Sequence, residues 1–266
     1  MSVIQQEPTY PNSKVRVSAP ARLHLGFLDL NGNAGRKFGS IGLAINSHRT
    51  VIEAELSDSF AIKDSVLNIA ESTRNKIEQL VESFYATLGQ RIAKNKQGVA
   101  FSVLELIPAH AGLGSGTQFA ITIGTILCRL HNISATTHEI AHHLGRGSRS
   151  GIGIATFDHG GFIVDGGLSA SSQTPPLLAH YDLPSSWRII LLMDLNNQGV
   201  HGSEELKAFS ELSPFPQSDS HAICHLTLMK LLPALVENQI MPFGQAITDI
   251  QALIGDHFAP AQGGRY

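Results

Sequence analysis

The chain alternates between two hydrophobic periods. Lys14 to Ser18 alternates polar and apolar residues and predicts a strand. Arg22 to Leu30 predicts a second, closed by the hairpin signal Asn31-Gly32-Asn33. Ser40 to Asn46 and Arg49 to Leu56 continue as strands. From Ser72 to Leu88 the period lengthens: Ile77, Leu80, Val81, Phe84 and Leu88 share one helical face, ended by Gly89. Val99 to Ile107 is an apolar, β-branched strand, and Phe119 to Leu130 is a buried helix. Thr136, with Glu139 three residues on, forms a capping box for a helix reaching Leu144. Ile152 to Phe157 and Phe162 to Val164 read as two short strands around Asp158-His159-Gly160-Gly161, and Trp187 to Met193 as a buried strand. Residues 203–258 predict mostly helix, broken by Pro214, Pro216, Pro233 and Pro242. Strands early and helices late make the chain α+β.

Composition narrows the function. The 266 residues suffice for a substantial core in one or two packed domains, divided here into a polar leader at 1–13, a domain at 14–180 and a second at 181–266. Charged residues are 15% of the chain, against about 25% in an average soluble protein, which points to a surface covered by a second subunit. A net charge of −3 disfavours nucleic acid or an anionic membrane as the main partner. No apolar leader or spanning segment appears, and Cys128 and Cys224 form neither a disulfide framework nor a zinc motif; a reduced, cytoplasmic protein is expected. His138/His142 and His221/His225 have the i, i+4 spacing of metal-binding pairs, but no third ligand stands at a recognisable offset, so each reads as a helix surface.

The chemistry concentrates in Pro108-Ala109-His110-Ala111-Gly112-Leu113-Gly114-Ser115-Gly116-Thr117-Gln118. A glycine- and hydroxyl-rich loop between a strand and a buried helix presents backbone N–H groups at a helix N-terminus, a ready site for phosphate or diphosphate. The spacing is neither that of a P-loop nor that of a Rossmann turn. A glycine turn used only for tight strand–helix packing is the plainer alternative.

Several separated segments then agree. Pro108 to Ser115 resembles the P-x-x-x-G-L-G-S loop of the GHMP small-molecule kinases, and Ala19-Pro20-Ala21-Arg22-Leu23-His24-Leu25-Gly26 resembles their first motif. Ser150-Gly151 followed by Gly160-Gly161 resembles their S-G-x-D…G-G segment. Gly153 stands where mevalonate kinase-like members carry an aspartate base, so it cannot accept a proton, although homoserine kinase-like members lack that base too. Arg22 to Gly32, Arg36 with Phe38 to Leu43, His110 to Gln118, Gly145 to Gly153 and Gln262 to Gly264 are similar to the β-ribofuranosylaminobenzene 5′-phosphate synthases of the same superfamily.

That resemblance implies a GHMP kinase-like two-layer fold, with a ribosomal protein S5 domain 2-like N-terminal part and a ferredoxin-like C-terminal part. Family members continue into a third glycine-rich segment and a last strand–helix pair, so a shortened C-terminal domain is expected. The resemblance also implies an enzyme of tetrahydromethanopterin biosynthesis. It would join phosphoribosyl diphosphate to 4-aminobenzoate or 4-hydroxybenzoate with loss of diphosphate and carbon dioxide. Gly112, Leu113, Gly114, Ser115, Gly116, Thr117 and Gln118 would receive diphosphate together with Mg²⁺. Arg22, Arg36, Arg146 and Arg149, with Ser150, would bind the 5′-phosphate and the carboxylate. Arg22 sits within an apolar strand, where an unpaired charge is expensive. Arg22 and His24 share one face of that strand. His24 and His110 are candidates for proton transfer or for orienting the ring substituent, a hydrogen-bonded structural role being the alternative. Asp29 and Asp165 could contact Mg²⁺ or ribose hydroxyls, or cap turns. A homodimer is expected. An ATP-dependent kinase and a non-catalytic phospholigand-binding protein of the same fold remain open at this level.

Overall fold

The computed structural model describes residues 14–63, 69–193 and 212–265. The polar leader and the start of the helical region at 203–258 lie outside them. Two compact units interleave along the sequence: Met1–Ala21, Ile45–Ala109 and Gly114–Ser148 form the first, and Arg22–Ala44, His110–Leu113 and Arg149–Tyr266 the second.

Strands β1 (Val15–Asp29) and β2 (Phe38–Leu56) pair as the predicted hairpin, and each runs through both units. The two short strands expected on each side are single long ones. In the first unit β2 pairs antiparallel with β4 (Val99–Glu105), Leu56 opposite Val99, and the short β3 (Ala61–Ile62) pairs parallel to β4. Helix α1 (Glu71–Ala86) buries Ile77, Leu80, Val81 and Phe84, the predicted face. Helix α2 (Ser115–Leu130) is apolar all round and almost wholly buried, as such a helix must be. Helix α3 (Thr137–His143) begins at the expected capping box: the Glu139 amide donates to Thr136 Oγ1, and the Thr136 amide donates to Glu139 Oε2. Cys128 is a core residue; burial, and then the Glu139 carboxylate, pushes its thiol up to about 12, so it is no nucleophile.

In the second unit the first part of β2 pairs antiparallel with β5 (Phe162–Asp165), Ser40 opposite Asp165, and β5 pairs with β6 (Leu177–Tyr181). Helix α5 (Gln217–Leu226), a π-helical turn (Thr227–Leu231), α6 (Leu232–Val236) and α7 (Ile240–Gln262) follow. Helix α7 lies on β1 at Gly26, whose φ is +130°; an added Cβ there would meet Ile254 Cδ1 at 2.6 Å. No helix among the described residues is long and apolar enough to cross a membrane.

Two expectations fail. Ile152–Phe157 is not a strand but the start of helix α4 (Ile152–His159). Its first five residues are buried, and a short, fully buried apolar run carries no period to separate the two states. Trp187–Met193 is not a buried strand: it has no regular structure, and Ile190 and Leu192 are 83% and 94% exposed. No described strand pairs with it, and an apolar run becomes a strand only when a sheet edge receives it. Among the leucines of 226–235, Leu231 and Leu235 are buried and Leu228 is exposed.

Close helix packing in the first unit yields a stability test. An added Cβ at Gly124 of α2 would sit 2.4 Å from Ile140 Cγ2 and 2.9 Å from Leu144 Cδ1. The Ile140 methyl is fixed by its β-branch, so overpacking of about 1–3 kcal/mol outweighs the gain of about 1 kcal/mol in helix propensity. Gly124→Ala is expected to lower the urea midpoint; an unchanged or raised midpoint contradicts this packing.

Candidate functional site

The loop before α2 takes its shape from backbone conformations that few residues tolerate. His110, Gly112 and Gly114 have φ of 59°, 71° and 75°. Positive φ at alternate positions curls successive amides toward one side, as in anion-binding nests. Gly114 is the left-handed N-cap of α2. The amides of Thr117 and Gln118 close on its carbonyl at 3.2 Å each. Helix geometry leaves the amides of Ser115 and Gly116 with no acceptor inside the helix. Leu113 is buried, so it takes part through its backbone alone.

The predicted residues gather into two groups, one in each unit. In the first unit Arg146 reaches the first turn of α2: its Nη1 lies 3.5 Å from where a Cβ on Gly116 would stand. Its Nε is sealed from solvent without a partner. Beside it is a residue the sequence reading missed. Lys76 on α1 places its Nζ 3.9 Å from the same Gly116 position and 5.8 Å from the centre of the Phe119 ring. Burial, and then the Arg146 charge, lower the Lys76 pKa, and burial lowers that of Arg146. Ser115 and Thr117 are partly exposed in this turn, while Gln118 is buried.

In the second unit Arg22 is committed to the loop. Its Nη1 donates to the Gly112 carbonyl at 2.7 Å, and its amide donates to the Leu113 carbonyl at 3.0 Å. The costly charge in an apolar strand is thereby partnered, though burial still lowers its pKa. His24 accepts the Gly26 amide at Nδ1 (3.3 Å), which leaves the ring proton on Nε2, a sealed atom with no acceptor. Burial, then Arg22, then Arg149 depress its pKa to about 3. A neutral imidazole with its proton on Nε2 presents a donor there. Its ring leans on Phe27 at 4.6 Å.

The two acids named as metal or ribose candidates both accept hydrogen bonds within the chain. Asp165 Oδ2 accepts the Gly151 amide at 2.8 Å and Oδ1 the Gly167 amide at 2.9 Å, tying β5 to the start of α4. Burial raises its pKa, and these amide bonds oppose the rise. Asp29 Oδ1 accepts from the Asn31 and Gly32 amides and from Ser220 Oγ, a turn-capping arrangement. No cluster of three or more metal-ligating side chains occurs among the described residues. Arg36 donates to the Gly166 and Gly167 carbonyls and so holds the turn after Asp165. The Ser150 hydroxyl accepts the Ile152 amide at the start of α4. His110 is exposed in its left-handed position.

Comparison with known proteins places this geometry. Residues 75–161 match the family described as the GHMP kinases N terminal domain. A β-ribofuranosylphenol 5′-phosphate synthase of Archaeoglobus fulgidus is 37% identical over 252 residues, which is 90% of this chain and 76% of the relative. The synthase of the same name from Methanothermobacter thermautotrophicus is 35% identical over 250 residues, 88% of this chain and 74% of the relative. That from Methanocaldococcus jannaschii is 34% identical over 254 residues, 89% and 76% of the two chains. Among solved structures, Streptococcus pneumoniae phosphomevalonate kinase superposes with a TM-score of 0.63 at 13% identity, covering 93% of this chain and 80% of that one. L. major mevalonate kinase gives 0.63 at 13%, covering 94% and 78%. At that identity the likeness establishes the fold.

The buried imidazole makes a pH test. The folded pKa of His24 lies below the usual 6.5, so its contribution to stability is complete above pH 6.5 and is lost as the pH falls toward 3. His24→Gln is expected to flatten the dependence of unfolding free energy on pH between about 6 and 4 relative to the parent, measured by urea titration at each pH. Parallel slopes contradict the assignment.

Proposed function

The chain belongs to the β-ribofuranosylphenol 5′-phosphate synthase family, enzymes on the GHMP kinase fold, and from that premise we propose that it transfers the phosphoribosyl group of phosphoribosyl diphosphate to a 4-substituted benzoate. The observation that carries this reading is the identity of 34–37% to three synthases across nearly all of the chain. A phenol product points to 4-hydroxybenzoate ahead of 4-aminobenzoate as the acceptor.

The reaction fits the residues. The bond from ribose C1 to diphosphate breaks, and its electron pair leaves with the diphosphate. The ring carbon bearing the carboxylate supplies the pair for the new carbon–carbon bond. The ring–carboxylate bond then breaks, its electrons restore the aromatic ring, and carbon dioxide departs. Carbon dioxide takes the place that a proton takes in ordinary ring substitution, so no base is required. That accords with Gly153 in α4, which has no side chain, and with a His24 held neutral.

The open amides of Ser115 and Gly116, with the Arg146 guanidinium, are assigned to the leaving diphosphate, because fixed donors aimed at developing charge need no reorganisation. Arg149 and Ser150, near His24 and Asp165, are assigned to the 5′-phosphate or the acceptor carboxylate. Arg22 acts on the loop through its bonds to Gly112 and Leu113. Arg36 holds the turn at Gly166–Gly167. Magnesium stays in the proposal only as a companion of the donor's diphosphate, with no step routed through it. The proposal extends to a homodimer, on the low charge fraction, and to a cytoplasmic setting, on two free cysteines.

Incubating the protein with phosphoribosyl diphosphate, Mg²⁺ and carboxyl-labelled 4-hydroxybenzoate or 4-aminobenzoate tests this reading. Labelled carbon dioxide and diphosphate are expected in equal amounts, faster with the hydroxy acid. No label release from folded protein, or phosphoryl transfer from ATP to hydroxyl acceptors instead, contradicts it.

A further inference from the structure

Lys76 lies about forty residues before the turn it approaches, on the polar side of an amphipathic helix, where a lysine ordinarily extends into water. Lys76 is exposed as a residue, yet its ammonium stands 3.9 Å from the Gly116 Cβ position, with Arg146 Nη1 3.5 Å from the same point. Neither cation forms an ion pair or a side-chain hydrogen bond among the described residues, although the chain pairs other lysines, such as Lys230 with Asp249 at 2.8 Å and Lys63 with Glu55. Two positive charges beside one point with no carboxylate between them repel one another, and partial burial removes some of the water that would screen Arg146. Each loss is recovered when an anion of two or more charges enters. Gly116 lies between them: a Cβ there would be in ordinary contact with both cationic groups.

We propose that Lys76 and Arg146 form a two-cation clamp on the first turn of α2 that binds diphosphate in preference to monophosphate, Lys76 being a substrate-binding residue of the synthase. The inference rests on the phosphoribosyl diphosphate reading and deepens it by naming the second cation of the leaving-group site. Diphosphate spans two phosphoryl groups, so one can meet the Ser115 and Gly116 amides and Arg146 while the other meets Lys76. A single orthophosphate engages fewer of these donors. Phe119 beneath the ammonium supports its position.

Calorimetric titration with inorganic diphosphate and with orthophosphate tests the clamp directly, because it requires no turnover. A charge-assisted hydrogen bond contributes about 1.5–3 kcal/mol, so Lys76→Gln is expected to weaken diphosphate binding by about tenfold to hundredfold and orthophosphate binding much less. Lys76→Arg should restore most of the loss, and Lys94→Gln, on an exposed turn, should change nothing. In kinetics Lys76→Gln should raise the KM for phosphoribosyl diphosphate while leaving that for the benzoate in place. Wild-type diphosphate affinity in a folded Lys76→Gln variant, or an equal loss for both anions, overturns the clamp, even when the parent releases carbon dioxide. A parent that binds diphosphate through Lys76 but turns over no benzoate leaves the clamp standing and removes the synthase reading.

Discussion

Lys76 and Arg146 hold two positive charges beside the amino-terminal turn of α2, and no carboxylate among the described residues pairs with either. Holding like charges together costs free energy in the unliganded protein. A fold keeps such an arrangement when a ligand returns that cost. The loop geometry works in the same direction: left-handed positions at His110, Gly112 and Gly114 curl the amides, and the helix begins abruptly at Gly114 so that those of Ser115 and Gly116 remain open. Arg22 secures the preceding loop through Gly112 and Leu113, with a charge that burial would otherwise penalise.

The second unit is organised around fixed polarity without acid–base chemistry. His24 is neutral and retains its Nε2 proton, and Asp165 spends both oxygens on backbone amides. Both groups are held in fixed hydrogen bonds, and a decarboxylative substitution on an aromatic ring requires no base. The kinase fold is thus retained while the kinase base is absent at Gly153. What the two chemistries share is the need to stabilise a phosphoryl-bearing anion at the start of one helix.

Much of this was legible in the sequence where local rules decide. The period of α1, the apolar run of α2, the capping box at Thr136 and the glycine loop are each set by residues a few positions apart, and each lies where its pattern places it. Ile152–Phe157 and Trp187–Met193 depart from the strands their patterns predict because short apolar runs take their state from partners: buried packing makes the first part of a helix, and the want of a paired edge leaves the second irregular. Lys76 was invisible for a related reason. One lysine on a polar helix face is indistinguishable from solvent charge until the chain folds α1 against α2. Asp29 and Asp165 show the limit of local pattern, since an acid beside glycines suits a ligand or a turn cap alike, and the backbone donors on each become visible only in the fold.

The two cations and the first turn of α2 define a place for one anion. A crystal structure of the protein with inorganic diphosphate bound addresses it without reference to catalysis. Diphosphate is expected on the Ser115 and Gly116 amides with the Lys76 ammonium and the Arg146 guanidinium within hydrogen-bonding distance. Diphosphate bound elsewhere, with that turn of α2 left empty, would contradict it.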